Sequence, residues 1–263
     1  MSDEHVGVET MPEVVTEPLD PETISPTVPA LPLPVIAVTL AALLLSVFFL
    51  FCKAKASRGN KVLLLGPVGS GKTALYLRYR FGRTPPTVTS MVPNSAAVAI
   101  SDEQGGAKRT VFLIDTPGSG RLRGHLFGEL AGAAALVCVI DGTALAAHAR
   151  EAAQLLYDVL THESVERSPP PLLIAVNKSD MAGAMSPAAA RKALETEVTR
   201  VRLARTTMQD TSERSRPLRG IAAGDTSQPF SFEQLGSSVE FVSCSAVKPE
   251  LRALSQFLLH HTR

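Results

Sequence analysis

The chain has few cysteines and no excess of either charge, and each shortage excludes something. Its three cysteines, Cys52, Cys138 and Cys244, are isolated and lie in or beside apolar runs. That spacing excludes a disulfide framework or a metal site and fits small buried hydrophobes in a reducing compartment. No His/Cys group has zinc-like spacing, and His260-His261 reads as a frayed C-terminal helix end rather than a ligand pair. Lys plus Arg number 26 against 25 Asp plus Glu, a net charge of +1. The chain therefore lacks the basic field with which nucleic-acid binders recruit phosphates, and no direct nucleic-acid partner is expected. It also lacks internal repeats.

The first 34 residues contain no Lys or Arg. They carry Asp3, Glu4, Glu9, Glu13, Glu17, Asp20 and Glu22, and Pro recurs from Pro12 to Pro34. Such a segment buries too little apolar surface to offset its ordering entropy, so 1–34 is expected to be a disordered acidic tail. From Val35 to Cys52 the chain runs without a charge or a helix breaker. About 18 to 20 such residues span a hydrocarbon core of about 27 to 30 Å, which predicts a transmembrane helix over 35–52. Lys53, Lys55, Arg58 and Lys61 follow at once, whereas the other flank has no base. By the positive-inside rule the C-terminal bulk lies in the cytoplasm. A cleaved signal peptide would carry a basic start, not an acidic tail.

After a basic linker at 53–60, apolar β-like runs alternate with helical patterns across 61–263. Strands are expected at Lys61–Leu65, Ala134–Ile140, Leu172–Val176 and Val239–Cys244, with a hairpin of Ala96–Ile100 and Thr110–Ile114. Helices are expected at about Lys72–Phe81, Ala144–Thr161, Pro187–Val201 and Glu250–Leu259. This order predicts a three-layer α/β domain with a mostly parallel sheet and right-handed crossovers. Residues from about Ala204 to Phe230, rich in Ser, Thr, Arg, Gly, Pro and Gln, show no period and read as a flexible surface insertion.

Chemistry enters at Gly66-Pro67-Val68-Gly69-Ser70-Gly71-Lys72-Thr73, which satisfies G-x-x-x-x-G-K-[ST] between a strand and a helix. The glycines let backbone N–H groups curl around phosphates, and the helix N-terminus adds positive potential. Lys72 would reach the β/γ-phosphates and Thr73 would ligate Mg²⁺. Which base is bound is decided at Asn177-Lys178-Ser179-Asp180, after the run Leu172–Val176. The Asp180 carboxylate can accept from both N1–H and the exocyclic amine of guanine, a donor pattern that adenine lacks.

With these two motifs in this order the chain resembles the small GTPases, whose N-K-x-D motif binds guanine. The resemblance implies further roles. Asp115-Thr-Pro-Gly118 looks like D-x-x-G, in which Asp115 holds Mg²⁺ through water and the Gly118 N–H senses the γ-phosphate. Ser243-Cys-Ser245-Ala246-Val247-Lys248 resembles the S-A-K loop, in which the Ala246 backbone contacts the guanine oxygen; Val247 departs from the usual Lys. The switch I threonine that caps Mg²⁺ is assigned to Thr87, with Thr89 as the alternative. Ser119 stands where many small GTPases carry Gln to orient the attacking water, so intrinsic hydrolysis is expected to be slow. Arg121 and Arg123 are nearby candidates to supply charge to the transition state, although exposed loop arginines are commonly just solvated.

A transmembrane helix before these motifs is rare among small GTPases. Anchor, basic linker, P-loop, D-x-P-G, N-K-x-D and S-A together resemble the family of signal recognition particle receptor beta subunits, related to Arf and Sar. That resemblance implies a GTP- and Mg²⁺-binding domain on the cytoplasmic face of the endoplasmic reticulum, with the N-terminus lumenal. It implies GTP-dependent docking of the receptor's alpha subunit, with the ribosome or translocon as further partners in protein targeting. The competing reading is an Arf- or Sar-like switch in vesicle trafficking, and the anchor argues against it because those proteins leave membranes reversibly. A P-loop ATPase or kinase is a third reading, opposed by Asn177–Asp180.

Overall fold

The computed structural model describes residues 59–101, 108–210, 228–248 and 251–262, together with Leu43 and Ser46. The chain divides into a unit Met1–Ala54 and a unit Lys55–Arg263, and the architecture below belongs to the second. The acidic tail, the span 35–52 apart from Leu43 and Ser46, and the linker up to Arg58 lie outside the described residues. Among the described residues no helix is long and apolar enough to cross a membrane.

Six strands form one sheet: β1 Lys61–Leu65, β2 Asn94–Ser101, β3 Lys108–Asp115, β4 Ala135–Asp141, β5 Leu172–Asn177 and β6 Val239–Ser243. Their order is β2-β3-β1-β4-β5-β6. β2 and β3 pair antiparallel, and every other neighbour is parallel. The expected three-layer α/β domain is thus present, with the hairpin at one edge. The continuous apolar runs of β1, β4 and β5 sit in the middle because both faces of those strands are covered, and only Lys61 and Asp141 in them escape full burial.

The main helices are α1 Lys72–Phe81, α2 Arg123–Glu129, α3 Leu145–Leu160, α4 Glu163–Arg167, α5 Pro187–Asp210 and α6 Arg252–His261. One sheet face packs Leu63, Leu65, Leu136 and Ile174 against Leu126 of α2, Ala152 and Leu156 of α3, and Leu194 and Val198 of α5. The other packs Val62, Leu64, Val111 and Leu173 against Leu75 of α1 and Leu254, Phe257 and Leu258 of α6. The helices α3, α5 and α6 each bury an apolar stripe at about i, i+3, i+4 spacing, which orients them on the sheet. α1 stops at Gly82, whose φ of 70° closes a left-handed C-cap with its N–H on the Arg78 carbonyl at 2.9 Å.

Three sequence expectations need correction. α5 does not stop at Val201 but continues through the supposed insertion to Asp210. The hydroxyls that make this stretch look irregular are absorbed locally: Thr206 and Thr207 donate to the carbonyls four residues earlier, each at 3.0 Å. Arg202, only 2% exposed, reaches the Gln228 carbonyl, and Phe230 is core rather than surface. The interior of the insertion, 211–227, lies outside the described residues. Second, α2 and α4 occupy stretches that the sequence reading left without helix. Third, the C-terminus is not frayed. α6 runs to His261, Thr262 is buried with its hydroxyl on the Leu258 carbonyl at 2.6 Å, and Arg109 donates to the Thr262 carbonyl.

Cys138 and Cys244 are both buried, as the sequence suggested. Burial pushes the Cys138 thiol up to about 12, so it stays protonated and unreactive near neutrality. In a Cys52→Ser protein, Ellman's reagent should label no thiol in the native state and two after denaturation. Rapid native labelling would contradict this packing.

Candidate functional site

The motif residues collect at the C-terminal ends of the parallel strands, the edge at which α/β sheets bind ligands. β1 delivers the loop Gly66–Gly71 into α1. Gly71 has φ 94°, and a Cβ there would lie 2.2 Å from the Asn177 Nδ2. A Cβ on Gly118 would lie 2.8 Å from both the Lys72 Nζ and the Val68 backbone nitrogen. Glycine at these two positions lets three loops touch: the P-loop, the turn after β3 and the turn after β5. Val68, Gly69, Gly71, Lys72, Thr73, Thr116 and Gly118 line a common cleft with Thr87–Ser90. Thr116 pins the β3 turn through its hydroxyl on the Leu64 carbonyl at 2.7 Å. Sequence reasoning passed it over as a variable position.

Lys72 is 6% exposed, and its ammonium donates to the Pro67 carbonyl at 2.8 Å, lying along the P-loop. Burial lowers its pKa, against the opposing pull of Asp115. Asp115 is fully buried, and burial raises its pKa although Thr73, Asn94, Lys72 and Ser90 all favour the carboxylate. Desolvation thus wins over mutual attraction at both groups. A cation beside Asp115 and an anion beside Lys72 would favour the charged form of each.

At the metal end, Thr73 Oγ1 donates to Asp115 Oδ2 at 2.8 Å and lies 3.1 Å from Ser90 Oγ. Asn94 Nδ2 donates to Asp115 Oδ2 at 3.3 Å and to Ser90 Oγ at 3.4 Å. Ser90, not Thr87 or Thr89, is therefore the hydroxyl of its segment that joins Thr73 and Asp115. The reason lies in the register: Asn94 pairs with Asp115 across the β2–β3 ladder, which holds Ser90 over that carboxylate. Thr87 and Thr89 line the cleft but are exposed. Ser90 and Asn94 went unrecognised because a serine and a strand-initiating asparagine carry no motif. Buried Asp115 Oδ1 and Ser70 Oγ have no hydrogen-bond partner among the described residues. An oxygen donor set with an unsatisfied carboxylate oxygen fits a hard divalent cation.

At the other end, Asn177 Nδ2 donates to the Ser70 carbonyl at 2.8 Å, and its Oδ1 accepts from the Ala246 N–H at 3.1 Å. The Ala246 N–H, assigned from the resemblance to a guanine oxygen, is thus taken up by Asn177. It reaches a base only by sharing that donor. Lys178 has φ 65° and pairs with Asp141. Burial pushes Asp141 up, but hydrogen bonds from Lys178 and Thr143 outweigh it and hold the carboxyl below the usual range. Ser245 Oγ donates to Asp180 Oδ1 at 2.6 Å while accepting from the Val247 and Lys248 N–H groups at 3.2 and 3.0 Å. The Ser245 bond lowers the Asp180 pKa and leaves its other oxygen to accept from a ligand.

Ser119 ends the β3 turn and accepts from the Leu122 N–H at 3.0 Å, opening a short 3₁₀ turn, Gly120–Leu122, that leads into α2. Arg123 is not a free loop arginine. It begins α2 and pairs with Asp158 of α3, which removes it from the transition-state role considered above. Arg121 is exposed.

The family model described as signal recognition particle receptor beta subunit matches residues 57–239. A mouse protein, signal recognition particle receptor subunit beta, is 35% identical over 80% of this chain and 78% of its own length. Among solved structures, the mammalian SRP receptor matches with TM-score 0.65 and 32% identity, covering 77% of this chain and all of the other. The SRb-GTP/SRX complex from Chaetomium thermophilum shares the fold, with TM-score 0.61 and 24% identity over 76% of this chain and 99% of the other.

Replacing Asn177 by Ala strands the buried Ser70 carbonyl and the Ala246 N–H. The expected loss is about 1 to 3 kcal/mol, read as a fall in Tm of roughly 2 to 4 °C per kcal/mol for a domain of this size. An unchanged Tm would show that the bridge is not made.

Proposed function

The chain belongs to the signal recognition particle receptor beta subunit family, and from that premise we propose that it is the GTP-binding subunit of that receptor. In this reading it sits in the endoplasmic reticulum membrane through residues 35–52, its nucleotide domain cytoplasmic, and holds the receptor's alpha subunit when GTP is bound. One observation carries the nucleotide assignment. Asn177 ties the P-loop to the turn that presents Asp180, so phosphate and base recognition share one rigid support.

The residues divide the work. Gly66, Pro67, Val68, Gly69, Ser70, Gly71 and Lys72 would cradle the phosphates, and Gly118 would approach the terminal one through its backbone. Thr73, Asp115 and a hydroxyl of the segment 87–90 would hold Mg²⁺, which supplies neutralisation of phosphate charge when bound. Lys178, through its aliphatic stem, and Asp180, through its free oxygen, would flank and read guanine, with Ser245 and Ala246 shaping that pocket. Docking of an alpha-type subunit is supported by the apolar residues that the segment beside the cleft turns to solvent: Val88, Met91 and Val92 are 87%, 67% and 63% exposed. A γ-phosphate that ordered this wall would organise those side chains into a contact surface. The name of the Chaetomium complex, which pairs SRb-GTP with SRX, supports the same partner class. The family model and the mouse relative favour the receptor subunit over a vesicle-coat switch.

With Ser119 in the water-orienting position and Arg123 engaged elsewhere, turnover is slow or supplied by a partner. Asp180→Asn should weaken GTP binding by at least tenfold and improve XTP binding, because an amide can donate to the xanthine C2 carbonyl; unchanged GTP affinity would sink the base assignment. Single-turnover assays on the purified protein should release negligible phosphate over many minutes. Rapid release without a partner would overturn the slow-hydrolysis reading. Affinity capture should recover a second targeting GTPase with GTP and far less with GDP, and recovery of coat proteins instead would refute the receptor role.

A further inference from the structure

Between α1 and β2 the segment 82–93 forms neither helix nor strand. Residues 85–89 are all exposed, whereas Thr84 and Ser90 on either side are partly buried. Those two residues are where the segment is pinned. Ser90 meets Thr73 and Asp115 at the metal end. Thr84 reaches the opposite end of the site, where its Oγ1 donates to the Ala246 carbonyl at 2.6 Å.

The Ala246 residue is thereby held from two sides. Its N–H is on Asn177 Oδ1, and its carbonyl is on Thr84, 162 positions away in the chain. The neighbouring Ser245 hydroxyl sets the Asp180 carboxylate. A rotation of the peptide after Ala246 would disturb the Val247 and Lys248 N–H groups that Ser245 Oγ accepts, and with them the aim of that hydroxyl. We propose that Thr84 is a positioning residue for base recognition. From the segment beside the phosphates it clamps the Ala246 carbonyl, and so keeps Asp180 aligned to read the base edge. This rests on the guanine-nucleotide reading above. It adds a specificity determinant outside both base-recognition turns and connects the segment 82–93, which walls the phosphate cleft, to base selection.

The test uses the full chain in detergent micelles and a fluorescent GDP analogue, with competition by GTP and by ITP, which lacks the exocyclic amine. Loss of one neutral hydrogen bond should accelerate nucleotide release in Thr84→Val by about fivefold. Because Thr84 acts at the base end, the acceleration should be the same in Mg²⁺ and in EDTA. The preference for GTP over ITP should narrow by a similar factor, and Thr84→Ser, which keeps the hydroxyl, should restore both. Release at the wild-type rate, acceleration only in Mg²⁺, or faster release with an unchanged GTP-over-ITP preference would each overturn the proposal. Wild-type protein that failed to prefer GTP over ATP would instead bring down the function itself, a separate and recognisable result.

Discussion

The Asn177 carboxamide is the constraint on which the site depends. It is 2% exposed, sits at the end of a fully buried central strand, and spends its donor on the P-loop and its acceptor on the turn after β6. Neither loop has a ladder of its own, so each would cost free energy in unsatisfied buried groups without this bridge. The close approach also explains Gly71, because a side chain there would occupy the volume of the Asn177 amide. Phosphate loop and base turn therefore form a single unit, held to a sheet whose position is set by two apolar cores.

Much of this was legible in the sequence. The runs of β1, β4 and β5 announce buried parallel strands because both faces are apolar, and the glycines and Lys72 mark a phosphate loop because few other sequences allow that backbone path. Asp180 stood out after its apolar strand, and Asp115 through the resemblance of its loop to D-x-x-G. The rest failed for physical reasons. The helix beyond Val201 was hidden because its Thr side chains bond their own backbone, which periodicity does not register. Ser90 was hidden because its role comes from the pairing of Asn94 with Asp115, a long-range register that no local pattern encodes. The bond from the Ala246 N–H to Asn177, which any base contact would have to share, was hidden for the same reason.

The electrostatics of the metal end have the same origin. Asp115 and Lys72 are both buried, and for each the loss of hydration outweighs the attraction of the other. A simple ion pair meant only for stability would be an unfavourable use of that space, since apolar replacements of equal volume are often at least as stable. The arrangement makes sense where further charge is delivered, as by a nucleotide and a divalent ion. Ligand binding then recovers solvation that folding removed, and binding and local order become coupled.

That coupling favours a switch over a turnover enzyme. Rapid hydrolysis needs a group that orients water and a cation that meets charge developing in the transition state. Ser119 offers only a short hydroxyl, its backbone carbonyl opening a short turn, and Arg123 is paired with Asp158 of α3. Moving Arg123 to the phosphates would break an ion pair in which both side chains are about four-fifths buried, and it would leave Asp158 with the more exposed Arg205 alone. The cost of leaving the largely buried Asp158 without its main partner makes the rearrangement unfavourable within the isolated chain. What the site retains is the means to hold a nucleotide firmly and to present Val88, Met91 and Val92 beside it. In the proposed reading, a partner docked on that wall would set the time spent in the bound state and would supply the missing catalytic charge.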